Sequence, residues 1–303
     1  MLEIMRELFT NLVQALIKVL ISAFPVVNAL FIIGAGCLGS LLYKHLKPTV
    51  KDIMTRCLGL AVLLLGVSEL WECLFVLEGD QLEIAGTMLV IFSLAVGGLF
   101  GYALNLDAAF GKLGNFLRRV FLGDIPSDDL IAQEQGKGKG KGKKNELPPE
   151  LLAARIVERK DTAEGFTAAV VICGFSSLLI TNFLVGRMGD DPIPLLIKLA
   201  IDFNLVFFLA AVYGKGVPFA GGVVLVSEGT LGIIYSLWGE ILTPEILDQT
   251  ALIGAVILLL CGVGLCTGKK LRPANLIPAL FIPLIYTFFM TKIEESVKEK
   301  KDK

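Results

Sequence analysis

Lys198 and Asp202 stand four residues apart in an otherwise apolar stretch, the spacing that puts two side chains on one face of a helix. Asn204 follows two residues later, and a second carboxylate, Glu228, sits beside Ser227 in the next apolar run. Upstream, Cys173-Gly-Phe-Ser176-Ser177 interrupts a third run with small and hydroxyl residues, while Asn28 and Asn275 are lone amides in two more. A charge at the centre of a bilayer costs roughly 2.5–3.5 kcal/mol even on the lenient insertion scale, so each of these groups needs a partner or a task. Two chemistries suit the set. In the first, Asp202 or Glu228 binds a cation or carries a proton. Lys198 is then a charge partner or anion contact, and Ser176, Ser177, Ser227, Asn204, Asn28 and Asn275 complete the polar lining. In the second, Lys198 and Asp202 form a neutralised pair that locks helices together, with Glu228 as an uncharged acid.

Enzymatic readings find less support. A membrane serine nucleophile at Ser176 or Ser177 needs a membrane histidine as base, and the single histidine, His45, lies in a charged loop. Neither Asp202 nor Glu228 sits in a Gly-x-Gly-Asp setting, and no Gly-x-x-x-x-Gly-Lys-Ser/Thr phosphate loop exists to drive transport with ATP. The six cysteines (37, 57, 73, 173, 261 and 266) form no Cys-x-x-Cys pair and read as small hydrophobes. No enzyme activity, no cofactor and no metal are expected.

The elements that must hold these groups are set by composition. Apolar residues make up 54% of 303 and charged residues 19%, with a mean hydropathy of +0.73. A soluble chain carries about 25% charged residues. The chain therefore reads as an all-α, polytopic membrane protein. Runs of spanning length fall at 25–43, 57–77, 86–105, 166–185, 193–213, 217–238, 250–267 and 274–291, giving about eight transmembrane helices. Ahead of them, residues 1–24 read as an interfacial amphipathic helix, with Ile4, Leu8, Leu12, Leu16 and Leu20 facing away from Arg6, Gln14 and Lys18. Glu3 and Glu7 stand where a cleavable signal would carry positive charge.

Residues 106–124 continue the third span as a second amphipathic helix, with Leu106, Phe110, Leu113, Leu117 and Val120 on its apolar stripe. The stretch 125–164 reads as a linker whose GKGKGKGKK run at 136–144 has nothing apolar to bury and should touch anionic lipid. Spans four to eight occupy 165–291, and 292–303 is a charged tail. Lys44, Lys47, Lys51, Arg56, the 106–164 connection, Lys215, Lys269, Lys270 and Arg272 all fall on one side, which the positive-inside rule makes cytoplasmic. Glu69, Trp71 and Glu72 lie near the opposite boundary as interfacial anchors. A formal net charge of −1 offers no basic field for nucleic acid, so the expected partners are the bilayer, a small solute or ion, and a second copy of the chain in a homo-oligomer.

An internal repeat is also legible. Pro25, Gly36, Leu38 and Gly39 recur at the same spacing as Pro218, Gly229, Leu231 and Gly232, and Gly59-LAVLLLG is followed in the second half by Gly254-AVILLLCG. The offset is five spans, an odd number, so spans 1–3 and 6–8 should be inverted copies, as in many secondary transporters.

The runs VNALFIIGAGCLG (27–39), CLGLAVLLLG (57–66), EGFTAAVVICG (164–174), KLAID (198–202) and GKKLRPANLIPAL (268–280) together resemble the domain-of-unknown-function 554 family, the YqgA-like or YdfK-like bacterial inner-membrane proteins. The likeness runs from residue 25 to 290 apart from the linker. It implies a bacterial plasma-membrane protein of seven or eight spans with no established activity and a supposed transport role, and it makes Lys198, Asp202 and Asn275 coincide with family positions. The chain departs from that pattern in Phe203-Asn204-Leu205-Val206-Phe207-Phe208 after the aspartate, where the family carries small and hydroxyl residues. It departs again at Glu228, where an amide is more usual. The reading that follows is a secondary transporter of a small solute with a midplane polar site and proton or sodium coupling. The alternative is a non-transporting scaffold or regulatory protein whose buried charges are structural.

Overall fold

In hydrocarbon a backbone N–H or C=O finds a partner only within its own helix or a closed sheet, so apolar runs of these lengths fold as helices. The computed structural model describes residues 2–78, 81–84, 87–123, 149–184, 191–239 and 242–287, together with 186, 189 and 289. The element order is α1 (Leu2–Leu42), α2 (Pro48–Leu74), a short antiparallel hairpin of β1 (Phe75–Glu78) and β2 (Gln81–Ile84), α3 (Thr87–Leu104), α4 (Leu106–Leu122) and α5 (Pro149–Gly174). A π-helical turn (Leu179–Leu184) leads to α6 (Pro192–Tyr213); a 3₁₀ turn (Val217–Phe219) then opens onto α7 (Ala220–Trp238) and α8 (Pro244–Thr267). The last helix, α9 (Pro273–Thr287), winds as 3₁₀ through Phe281.

Five helical stretches among the described residues are long and apolar enough to cross a membrane, and six if α3 and α4, bent by 48°, count as one span. Side chains such as Leu64 (72% exposed) and Met88 (84%) stand outward, as lipid-facing positions do. The all-α membrane class is as the composition requires. Of the eight expected runs, the fourth is divided at Phe175–Ser176 between α5 and the π-helical turn, and the eighth is the shorter α9.

Several boundaries differ from the sequence reading. α1 runs unbroken through Pro25, so the leading segment and the first span share one helix that forgoes one backbone donor at that proline. The side chains of its first seventeen residues and of Leu20, and with them the whole stripe from Ile4 to Leu20, lie outside the described residues, as do the Gly-Lys run and the charged tail. α5 begins at Pro149, well inside the expected 125–164 linker; proline at a first helical position was the signal for this start. The hairpin at 75–84 was not foreseen.

Helix α4 starts at Leu106 as expected and ends at Leu122, two residues short of the expected bound, where its C-cap Gly123 adopts φ 67°. Its expected stripe is divided: Leu106, Phe110 and Leu117 pack against the core beside the buried Gly111, Gly114 and Arg118, whereas Leu113 and Val120 are exposed. Arg118 is wholly buried because its guanidinium meets Glu158 Oε1 of α5 at 2.5 Å and Thr162 Oγ1 at 2.6 Å. Nearby, the Tyr43 hydroxyl donates to Asp161 Oδ2 at 2.8 Å and ties the end of α1 to the same helix.

Glycines set how the helices approach. Gly59 abuts Cys266 and Gly66 abuts Leu259, so α2 and α8 run antiparallel along a seam with no room for a Cβ at Gly59. Gly97 against Ala279 and Gly101 against the Asn275 backbone pack α3 antiparallel to α9. Gly36 against Pro218 and Gly221 against Ala29 do the same for α1 and α7. By contrast, Asn28 reaches Asp202 and Gly39 abuts Phe207, so α1 and α6 run parallel.

A buried charge cluster as the candidate functional site

Four side chains from three helices meet inside this packing, all with zero exposure: Asn28 of α1, Lys198 and Asp202 of α6, and Glu228 of α7. The Lys198 ammonium lies 2.5 Å from Asp202 Oδ2 and 3.2 Å from Glu228 Oε1. It donates a further hydrogen bond to the Cys173 carbonyl at 3.0 Å. That carbonyl belongs to the last turn of α5, where unpaired C=O groups carry the negative end of the helix dipole and favour a cation. The Asn28 amide donates to Asp202 Oδ2 at 2.9 Å and to Glu228 Oε1 at 2.7 Å. One amide and one ammonium thus bridge the same two carboxylate oxygens.

Three oxygens of the cluster, Asn28 Oδ1, Asp202 Oδ1 and Glu228 Oε2, are buried without a hydrogen-bond partner. Such acceptors cost about 1–3 kcal/mol each when left unmade, more when charged. With both acids ionised, one positive charge faces two negative ones. The arrangement can take up a proton or a small cation.

The break in α5 lies against the cluster. Ser176 Oγ bonds back to the Ile172 carbonyl at 2.6 Å, whereas Ser177 is buried with its hydroxyl toward the Glu69 carboxyl. Gly254 of α8 permits this: a Cβ there would overlap the Ser176–Ser177 backbone. Ser227 bonds the Val224 carbonyl at 2.9 Å, and its Oγ would lie 3.2 Å from a Cβ placed on Gly174.

Two expected members stand apart. Asn204 is exposed and bonds the Ala200 carbonyl of its own helix at 2.8 Å, because two residues turn a helix by about 200° and aim it away from Asp202. Asn275 sits at the start of α9, where its Oδ1 accepts the Asp107 backbone N–H at 3.0 Å. Glu69, read as an interfacial anchor, is only 9% exposed; its carboxyl faces the hydroxyls of Thr181 and Ser177, while Trp71 and Glu72 are exposed. The signal was available, since Val62, Gly66, Glu69 and Cys73 form one helical stripe against α8. The Cys173 carbonyl, a backbone group, had none.

A multi-helix membrane bundle with a sealed charge cluster is the class that this fold and site define. A sequence profile described as "Protein of unknown function (DUF554)" matches residues 24–288, and the chain belongs to that family. It is 24% identical over 261 residues to the uncharacterized membrane protein YdfK of Bacillus subtilis (strain 168), covering 86% of this chain and 93% of that one. It is 22% identical over 260 residues to the uncharacterized protein YqgA of Escherichia coli (strain K12), covering 86% and 94%. No solved structure matches.

Proposed function

We propose that the protein is a secondary transporter of a small solute, with Asn28, Lys198, Asp202 and Glu228 as its ion- or proton-responsive centre. The observation that carries this reading is one ammonium set against two carboxylates at zero exposure. An uncompensated charge in such a place is strongly unfavourable. A proton, or a cation such as sodium, supplies the missing charge, and a group that must be refilled whenever the site opens couples ion binding to conformation. No bond is made or broken, so the protein is not an enzyme in this reading.

The broken α5 supports it, since interrupted helices line transporter sites near the bilayer midplane. The packing of α1 on α7, α2 on α8 and α3 on α9 as antiparallel pairs is what an inverted repeat of spans 1–3 and 6–8 would produce. In this reading the basic connections face the cytoplasm of a bacterium and the bundle sits in its plasma membrane.

One observation favours the scaffold reading: the cluster is sealed, and a cleft of about 540 Å³ lies elsewhere, lined by α4, α5 and the α8–α9 turn. Proteoliposome flux separates the two. Under an imposed proton or sodium gradient, wild type should move the ion, and Asp202→Asn and Glu228→Gln should abolish flux while remaining folded. Absence of flux in wild type, with Lys198→Met melting far below it, would leave the charges as structural cement.

A further inference from the structure

The 540 Å³ cleft at the basic end of the bundle belongs to neither chemistry above. Its walls are amphipathic. Gly111 of α4 and Gly264 of α8 line it, Leu260 and Leu265 give it an apolar side, and five cations complete it: Lys112, Lys160, Lys269, Lys270 and Arg272. Two carboxylates, Asp107 and Glu164, oppose them. Glu164 is already engaged by Lys270 at 3.1 Å and by Lys160 at 4.0 Å. Among the described residues, Lys112, Lys269 and Arg272 have no carboxylate within ion-pair distance, so the cleft keeps a surplus of positive charge.

The loop that carries three of the cations is held in place. Gly268 ends α8 at φ +68°, the Lys269 N–H donates to Thr267 Oγ1 at 3.3 Å, and Arg272 is fixed at φ 52° with its carbonyl accepting the Asn275 N–H at 3.1 Å. Exposed cationic side chains carried on an ordered backbone beside an apolar wall, at the end of a membrane bundle, match the two halves of a phospholipid. Basic pockets between membrane helices take anionic headgroups for this reason.

We propose that this cleft binds the phosphate headgroup of an anionic phospholipid. Native mass spectrometry of the full chain in neutral detergent tests it, with phosphatidylglycerol or phosphatidylcholine titrated in. Wild type should retain phosphatidylglycerol over phosphatidylcholine, and Lys269→Gln/Arg272→Gln should weaken that retention roughly ten- to thirtyfold. Lys44→Gln/Lys47→Gln, which removes the same charge from the same end outside the cleft, should stay within about twofold of wild type. Lys112→Gln, on a different element, should show a smaller loss and guards against misfolding of the loop variant. Equal loss in both double variants would reduce the effect to a general basic field and overturn the proposal. Equal retention of the two lipids would also overturn it, and so would complete displacement by millimolar inorganic phosphate, which would make free phosphate the ligand.

Discussion

Asn28 spends both of its amide protons on carboxylates that Lys198 also contacts, so the amide and the ammonium are complementary halves of one clamp. Their removal should differ in cost. Lys198→Met leaves two acids facing each other in the core and should destabilise the protein by about 3–5 kcal/mol, the range for breaking a buried pair. Asn28→Leu removes two charge-assisted hydrogen bonds and should cost about 2–4 kcal/mol. Glu228→Gln removes the unbalanced negative charge and should be close to neutral. Denaturant unfolding of the three variants in one detergent checks the order, and a Glu228→Gln loss as large as that of Lys198→Met would contradict it. The residue types at this site were legible because charge and amide are rare in apolar runs. Their grouping was partly legible: the four-residue spacing of Lys198 and Asp202 placed them on one face, and two-residue spacing should have set Asn204 on the other. That Asn28 joins them across the bundle depends on the pairing of α1 with α6, which no local pattern encodes.

At the scale of elements, small residues decide where helices meet and where α5 ends. Gly254→Ala would drive a methyl group into the Ser176–Ser177 backbone, whereas Gly229 has nothing within 4 Å of such a methyl. The first substitution should therefore cost about 1–3 kcal/mol, and Gly229→Ala should be neutral or stabilise by up to about 1 kcal/mol. Thermal melts of the pair test whether the break is held by packing. The contact between α1 and α5 makes a pH-dependent prediction. Burial raises the Asp161 carboxyl above its ordinary range, and the Tyr43 hydroxyl bond partly opposes that shift. The folded state thus holds this proton more tightly than the unfolded chain, and stability falls as pH rises through the folded value. Tyr43→Phe removes the stabilised carboxylate's donor, so its destabilisation should be largest at neutral pH and shrink once Asp161 is protonated. A pH-independent difference between Tyr43→Phe and wild type would contradict this. Apolar run lengths made most helices readable beforehand. The inward turn of Arg118 was not, because its partner Glu158 lies forty residues away on a helix that was read as linker.

For the whole molecule, the antiparallel packing of the three early helices on the three late ones surrounds a polar interior at α1, α6 and α7, with the cationic cleft at one end. The bundle class followed from composition alone, while the meeting of early and late helices shows only in three dimensions, in close glycine contacts and in the Asn28–Glu228 hydrogen bond. If the basic end faces the cytoplasm, Lys44→Cys and Lys269→Cys in a cysteine-free background should react with an impermeant maleimide only in inverted vesicles; labelling from the periplasmic side would reverse the orientation. The central claim is that an exchangeable positive charge completes the buried cluster, and cation-dependent melting tests it most directly. Wild type and Glu228→Gln would be melted in detergent across pH, with sodium replacing choline at constant ionic strength. A ligand bound only by the folded state stabilises by about 2.7 kcal/mol at a hundredfold excess over its dissociation constant, equivalent to several degrees for a chain of this size. Wild type should gain that increment from sodium or from added protons, and Glu228→Gln should not. Melting that is indifferent to both in wild type, or equally responsive in the two proteins, would contradict the claim.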